Sequence, residues 1–280
     1  MTIREKLESM RQNSIALDIA DNEEYKPAGT RFGGSPDVPQ DFVWPRFAGK
    51  GLDGRQRELP LAFVAQINCE DIAPFDTEHK LPDHGLLSFF YEMESEPWGY
   101  SPGDKGSARV YWFEDAAELD EAVFPEDLDE EFRLPVMKIT VSAESSLPCW
   151  DDFLKKFPEE TDDEAFDAAV EEMAGEERED SSRLLGWPEV IQHSMYEECD
   201  LVTKGYYLGN PEGYARVSEK DRAEAESAID RWQLLLQLDV VENDDFCLMF
   251  GDCGMLYIFI RKEDLAARNF SNTWAIIQCC

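Results

Sequence analysis

Arg31-Phe32-Gly33-Gly34-Ser35-Pro36-Asp37-Val38-Pro39-Gln40 aligns without a gap on Arg183-Leu184-Leu185-Gly186-Trp187-Pro188-Glu189-Val190-Ile191-Gln192. Arg, Gly, Pro, Val and Gln recur in place, and the acid is kept as Asp37 or Glu189. Each copy is followed by an apolar run with a Gln two residues before a closing amide or acid, Leu61 to Asn68 (LAFVAQIN) and Trp232 to Asp239 (WQLLLQLD). A glycine then opens a second apolar run, Gly85-Leu86-Leu87-Ser88-Phe89-Phe90 and Gly254-Met255-Leu256-Tyr257-Ile258-Phe259. Three blocks in the same order, twice, point to an internal duplication, with repeats at about 31–113 and 183–261 of one domain spanning 1–280. The expected architecture is α+β: two related β-rich halves sharing a core, peripheral helices, and an acidic helical insert over about 114–180.

The 280 residues carry 43% hydrophobic and 12% aromatic residues, enough for a substantial core despite 31% charge. The net charge is −35, which disfavours nucleic acid and anionic membrane surfaces and favours a basic partner. Two segments hold most of it. Glu114–Glu131 and Glu159–Asp180 contain 22 acids against Arg178 alone, and so 21 of the 35 net negative charges. The seven cysteines are irregularly spaced with no CxxC, and the first residues, MTIREKLESMRQN, are charged and amphipathic. No apolar run approaches a membrane-spanning length. Reduced thiols in a cytoplasmic protein are the expectation.

Along the chain, Ile3, Leu7 and Met10 share one face of an N-terminal helix. Tyr25–Gly54, with Pro27, Pro36, Pro39 and Pro45, reads as a long ordered loop. Strands are expected over Leu61–Asn68, Gly85–Tyr91, Ser107–Phe113 and Val136–Val141. Thr161-Asp162-Asp163-Glu164 has the pattern of a capping box, opening a helix with a Phe166, Ala169, Val170, Met173 stripe that Gly175 would stop. Ser218 with Asp221 opens a helix reaching about Arg231. Leu234–Arg261 reads as a three-stranded meander turning at Asn243-Asp244-Asp245 and Gly251-Asp252-Cys253-Gly254, with its last two strands central.

No hydrolase elbow, P-loop, dinucleotide fingerprint, HExxH or EF-hand loop occurs, so no cofactor or metal is expected. His79 and His84 stand in a loop beside Glu78 and Asp83 without a third strong ligand placed nearby. His193 follows the second repeat motif directly, where the first copy has Asp41. Cys279-Cys280 reads as incidental, and Cys247 and Cys253 as small apolar core residues. Gln66 and Gln237 are amides inside apolar strands. Each either ties its strand to the repeated loop or faces a cleft shared by the two halves. Arg31 and Arg183 either clamp those loops through Asp37 and Glu189 or offer an anion site. Trp187, the Trp-Pro position of the second motif, belongs to the same paired set. Asp252, at a tight turn between two apolar strands, is the best single candidate carboxylate, although Asp also favours such turns for conformational reasons.

The blocks Phe32-Gly33-Gly34-Ser35-Pro36 with Trp44-Pro45, LAFVAQIN at 61–68 and GLLSFF at 85–90 resemble the YwqG-like family of bacterial proteins. Gly186-Trp187-Pro188, LLLQLD at 234–239, Gly251-Asp252-Cys253-Gly254, and Phe270-Ser271 with Trp274 and Gln278-Cys279 agree with it. The resemblance runs from about residue 30 to the C-terminus. Phe250 departs from a more usual Trp, and Cys280 from a common aromatic. The resemblance implies an intracellular α+β domain with internal duplication and no established activity; proximity to toxin systems suggests an immunity or accessory role for some members. Two functions follow as expectations. One is a non-enzymatic module binding a basic protein through exposed Asp162, Asp163, Asp167, Glu171 and Glu172. The other is an enzyme or small-ligand binder using a cleft between the repeats.

Overall fold

The computed structural model describes residues 1–21, 26–174 and 181–280. In chain order its first elements are α1 (Ile3–Met10), β1 (Gln12–Asp21), β2 (Arg31–Phe32), β3 (Asp37–Val38), β4 (Arg46–Lys50), β5 (Gln56–Pro60) and β6 (Ala62–Asn68). There follow α2 (Cys69–Ile72), β7 (Leu86–Tyr91), β8 (Ala108–Phe113), β9 (Asp120–Glu121), β10 (Met137–Ser146), α3 (Trp150–Lys156) and α4 (Asp163–Met173). The remainder comprises β11 (Arg183–Leu184), α5 (Tyr196–Thr203), α6 (Pro211–Tyr214), α7 (Glu219–Ala225), β12 (Trp232–Leu238), β13 (Val241–Asn243), β14 (Phe246–Leu248), β15 (Met255–Arg261), α8 (Lys262–Ala266) and β16 (Thr273–Gln278).

Ten strands form one antiparallel sheet in the order β16-β15-β12-β11-β1-β10-β2-β6-β7-β8. The order has the same pattern from either end. A long hairpin leads to a seven-residue strand, then to a two-residue strand, then to the central pair. Arg31 on β2 lies opposite Gln66 on β6, and Arg183 on β11 opposite Gln237 on β12. Both long strands have a register irregularity just before the glutamine, between Phe63 and Ala65 and between Leu234 and Leu236. The turn after the short strand is left-handed in both places, at Gly33 and Gly34 (φ 59° and 72°) and at Leu185 and Gly186 (φ 60° and 75°). A side chain at Gly33 would meet the Pro135 carbonyl at 2.1 Å, so glycine is required there.

The sheet curls until its ends nearly meet. Beside β8 and β16 the backbone N–H of Ile277 donates to the Trp98 carbonyl (3.2 Å), and the Trp274 indole donates to the Gly99 carbonyl (2.9 Å). Inward side chains such as Ile67, Phe89, Leu236, Ile258 and Ile277 fill one core. The outer face of β12, β15 and β16 (Leu234, Phe259, Ile276) is covered by helices bearing Leu7, Phe153, Phe166 and Val202. The outer face of β6 and β7 (Phe63, Phe90) is covered by Phe47 of the β4–β5 hairpin, with Phe42 and Trp44. Burial on both faces explains why these strands read as unbroken apolar runs rather than alternating ones. No helix among the described residues is long and apolar enough to cross a membrane.

Several sequence expectations are corrected. The strand β1, not foreseen, pairs with β10 over ten residues, from Gln12 opposite Ser146 to Asp21 opposite Met137. The 114–180 region is therefore no purely outer helical insert, because β10 lies at the sheet's centre. The Tyr25–Gly54 stretch contains β2, β3 and β4. The three-stranded meander is instead β12 paired directly with β15, with β13–β14 as a separate hairpin whose Phe246 packs on Phe32. Cys247 and Cys253 are exposed rather than core, because one lies on that small hairpin and the other in a left-handed turn (φ 51°). Asp162, not Thr161, caps α4, accepting the Ala165 N–H at 3.0 Å. The expected stop at Gly175 lies outside the described residues. The helix from Ser218 ends at Ala225, short of Arg231, and gives way to a 3-10 turn at Ala228–Asp230.

Gly99 tests the closure. It is left-handed (φ 86°), and a Cβ there would sit 2.0 Å from the Ala275 carbonyl, whereas Gly205 (φ 102°) has open space around it. Gly99→Ala should lower unfolding free energy by about 2–4 kcal/mol and Gly205→Ala by about 1 kcal/mol. Equal denaturation midpoints would show that this junction does not hold the ends of the sheet.

Candidate functional site

The Gln and Arg residues of the repeated blocks are anchors. Gln66 is fully buried. Its amide donates to the Gly29 carbonyl (2.9 Å) and to Asp37 Oδ2 (2.6 Å), while its oxygen accepts the Asp37 N–H (3.0 Å). Asp37 is also buried and pairs with the Arg31 guanidinium at 2.7 Å; Arg31 donates as well to the Ser35 carbonyl. The second copy repeats the geometry. Gln237 donates to the Ser181 carbonyl (2.7 Å) and accepts the Glu189 N–H (2.8 Å). Arg183 reaches Glu189 (3.4 Å) and Glu144 (3.2 Å). The second clamp is the more open, since Glu189 is exposed. Trp187 is buried, and its indole donates to the Met10 carbonyl at 2.6 Å. A third buried amide, Gln278, was not singled out from the sequence for this role. It accepts the N–H groups of Ile191 and Gln192 (both 3.1 Å) and donates to the His193 carbonyl (2.8 Å).

Asp252 stands on an exposed turn, apart from these anchors, where its carbonyl accepts the Cys280 N–H at 3.1 Å. Asp162, Asp163, Asp167, Glu171 and Glu172 are all exposed on or beside α4. Phe166 seats that helix, with its ring 5.0 Å from those of both Trp150 and Phe153, and Glu172 pairs with Arg4. His84 is held by Asp83 (2.7 Å), whose hydrogen bond raises its pKa. Among the described residues no group of three or more His, Cys, Asp or Glu is placed to hold a metal ion.

The structure also reveals a cleft of about 830 Å³ between α3, the start of α5 and the end of α7, lined by Asp151, Lys155, His193, Ser194, Glu198 and Asp230 among others. His193 Nε2 lies 3.3 Å from Glu198 Oε1, which also accepts the Tyr214 hydroxyl at 3.1 Å. The other Glu198 oxygen is buried without a partner among the described residues. The hydrogen bond to Glu198 raises the His193 pKa. Behind the cleft, buried Asp152 accepts the Ser194 hydroxyl at 2.6 Å and lies 3.3 Å from Cys149 Sγ. Burial pushes the Asp152 carboxyl up to about 6 and raises the Cys149 thiol. Ser194 and His193 are bonded to different carboxylates, so they form no serine–histidine relay, and Cys149 is a protonated thiol rather than a nucleophile. What the cleft offers is carboxylates, Glu198 buried among them, and an imidazole whose pKa is raised. Of these residues the sequence drew attention to His193 alone. Asp152 and Glu198 lie in acid-rich helices where no spacing separates a buried acid from a solvated one.

A nearly closed antiparallel sheet with helices on one outer flank and a hairpin on the other, pinned by paired buried amides, defines an α+β domain. The chain belongs to the family described as Domain of unknown function (DUF1963), which matches residues 30–279. No curated protein matches the chain.

Replacing Gln66 with Leu strands the Asp37 N–H and the Gly29 carbonyl, and replacing Gln237 strands the Glu189 N–H and the Ser181 carbonyl. Each should cost about 1–3 kcal/mol, Gln66 the more because Asp37 is buried; unchanged denaturation midpoints would show that neither amide is a tie. Asp152 gives a pH test. Its folded pKa of about 6 lies above the ordinary 3.8, so the folded state binds the extra proton, and that stabilisation is lost as pH rises from about 4 to 6. Asp152→Asn removes this dependence. Relative to the unsubstituted protein, its stability should rise by roughly 2 kcal/mol between pH 4 and pH 7, and a difference constant with pH would overturn the assignment.

Proposed function

We propose that this is a non-catalytic, cytoplasmic interaction module, YwqG-like in kind, that captures a basic protein partner through its acidic segments. The observation that carries the reading is the arrangement of α4: Phe166 is buried on the core while Asp162, Asp163, Asp167, Glu171 and Glu172 are all solvent-exposed. Exposed like charges speed encounter with a basic surface through long-range attraction. Supporting it, Gln66, Gln237, Arg31, Arg183 and Trp187 are engaged in holding loops. The toxin-neutralising or accessory role belongs to this reading as its most specific form. We also infer that the two halves descend from one duplicated unit, supported by the matched amide bonds, bulges and left-handed turns and by the symmetric strand order.

A second reading, a small-ligand binder, draws on the unpartnered Glu198 oxygen in the α3–α5 cleft. The sequence-based form of this reading places the ligand between the two halves, which the β1–β10 pair joins.

Recovery of binding proteins at low and at high salt, followed by association kinetics with the protein so identified, tests the first reading. Association should slow as salt rises, since charges farther apart than about 8 Å are screened at physiological ionic strength. Neutralising the five acids to Asn or Gln should slow association without changing the unfolding midpoint. Equal association rates for the neutralised and unsubstituted proteins at low salt would refute the role of α4.

A further inference from the structure

At the end of the sheet where β15 passes into α8, a cavity of about 340 Å³ is lined by Lys80, Lys262, Arg268 and His79, with Gln233, Leu265 and Ala266 beside them. Glu78 is the one carboxylate among the lining residues, and it pairs with Lys80 at 2.5 Å. Lys262 donates to the Ile229 carbonyl at 3.0 Å and Arg268 to the Lys80 carbonyl. Among the described residues neither has a carboxylate within ion-pairing distance. In a chain of 61 acids and 26 Lys and Arg, three cations converging on one cavity against a single acid is contrary to composition. Partial desolvation lowers the Lys262 pKa first; the charge of Asp230 opposes it, and those of Lys80 and Lys156 add to it. The backbone is strained there too. His79 (φ 54°) and Arg268 (φ 56°) are two of the six non-glycine residues in the left-handed region among those described. Strain of this kind gathers at ligand sites, where the surrounding structure holds it in place.

We propose that this cavity binds a small organic oxyanion, its carboxylate or phosphate group seated between Lys262 and Arg268 and its carbon portion against Leu265 and Ala266. The volume is at the small end of the range for ligand pockets, which suits a short dicarboxylate or a small phosphate ester. Lysine and arginine donate charge-assisted hydrogen bonds to either group, and the buried Gln233 side chain, its oxygen 3.4 Å from the Lys80 ammonium, helps position that lysine. The site is independent of any basic partner at α4.

Titration calorimetry of the full chain with inorganic phosphate and with succinate, at ionic strength matched with chloride, tests this. One saturable site per chain is expected, and the preferred anion tells phosphate from carboxylate ligands. Lys262→Gln should weaken binding about tenfold, with its unfolding midpoint confirming the fold. Arg268→Asn, which keeps a residue tolerant of the left-handed backbone, should weaken it similarly. Glu78→Gln should tighten it, an effect that loss of a purely structural ion pair would not produce. Absence of saturable binding by both anions, or affinities indifferent to all three substitutions, would overturn the proposal.

Discussion

The ten-residue pairing of β1 with β10 is the interaction on which the rest of the sheet depends. It joins the two flanking arrays crosswise: β1 also carries β11, and β10 also carries β2. The strands β2 and β11 are two residues long, too short to organise a sheet edge by themselves. Without the central pair, β6–β7–β8 and β12–β15–β16 would be three-stranded sheets meeting only beside β8 and β16, with open edges on the other side, which proteins ordinarily cover or blunt.

The buried amides make those short strands tolerable. A two-residue strand has few ladder hydrogen bonds, so the loops on either side of it need other partners. Gln66 and Gln237 supply them, each bonding a carbonyl upstream of the short strand and an N–H downstream. The bulge in the same long strand accompanies the shift that sets the side chain toward the loop. Arg31 with Asp37 adds a buried charge pair to the first copy, where loss of one partner would leave the other unpaired. The second copy is looser at Arg183, and Gln278 adds a further tie to its loop.

Much of this frame could be read from the residues. The repeated Gln inside apolar runs located β6 and β12, and the glycines at 85 and 254 located β7 and β15. The central strand β1 escaped notice because its alternation, Ile15, Leu17 and Ile19 among Ser14, Asp18 and Asp21, is weak beside the longer apolar runs, and Asp18 and Asp21 read as surface. Cys247 and Cys253 misled because local hydrophobicity does not tell whether a strand joins the main sheet or a small hairpin. The α3–α5 cleft was hidden for a different reason. Asp152 and Glu198 are buried by tertiary packing, and in a chain with this many acids nothing local distinguishes them from Asp151 and Glu197 beside them.

The crosswise strand pairing also bears on how the protein is made. Gln12 finds its partner only when Ser146 has been synthesised. At typical rates of ~5–20 residues per second, β1 leaves the ribosome on the order of ten seconds before β10. Through that interval the nascent chain holds a ten-residue strand with no completed neighbour, and its pairing has high contact order and a correspondingly slow closure. The acidic stretch from Glu114 to Glu131, translated just ahead of β10, emerges while that edge is still open. By then most of the wait is over, and the strands made during it, β2 to β9, include none that pairs with β1.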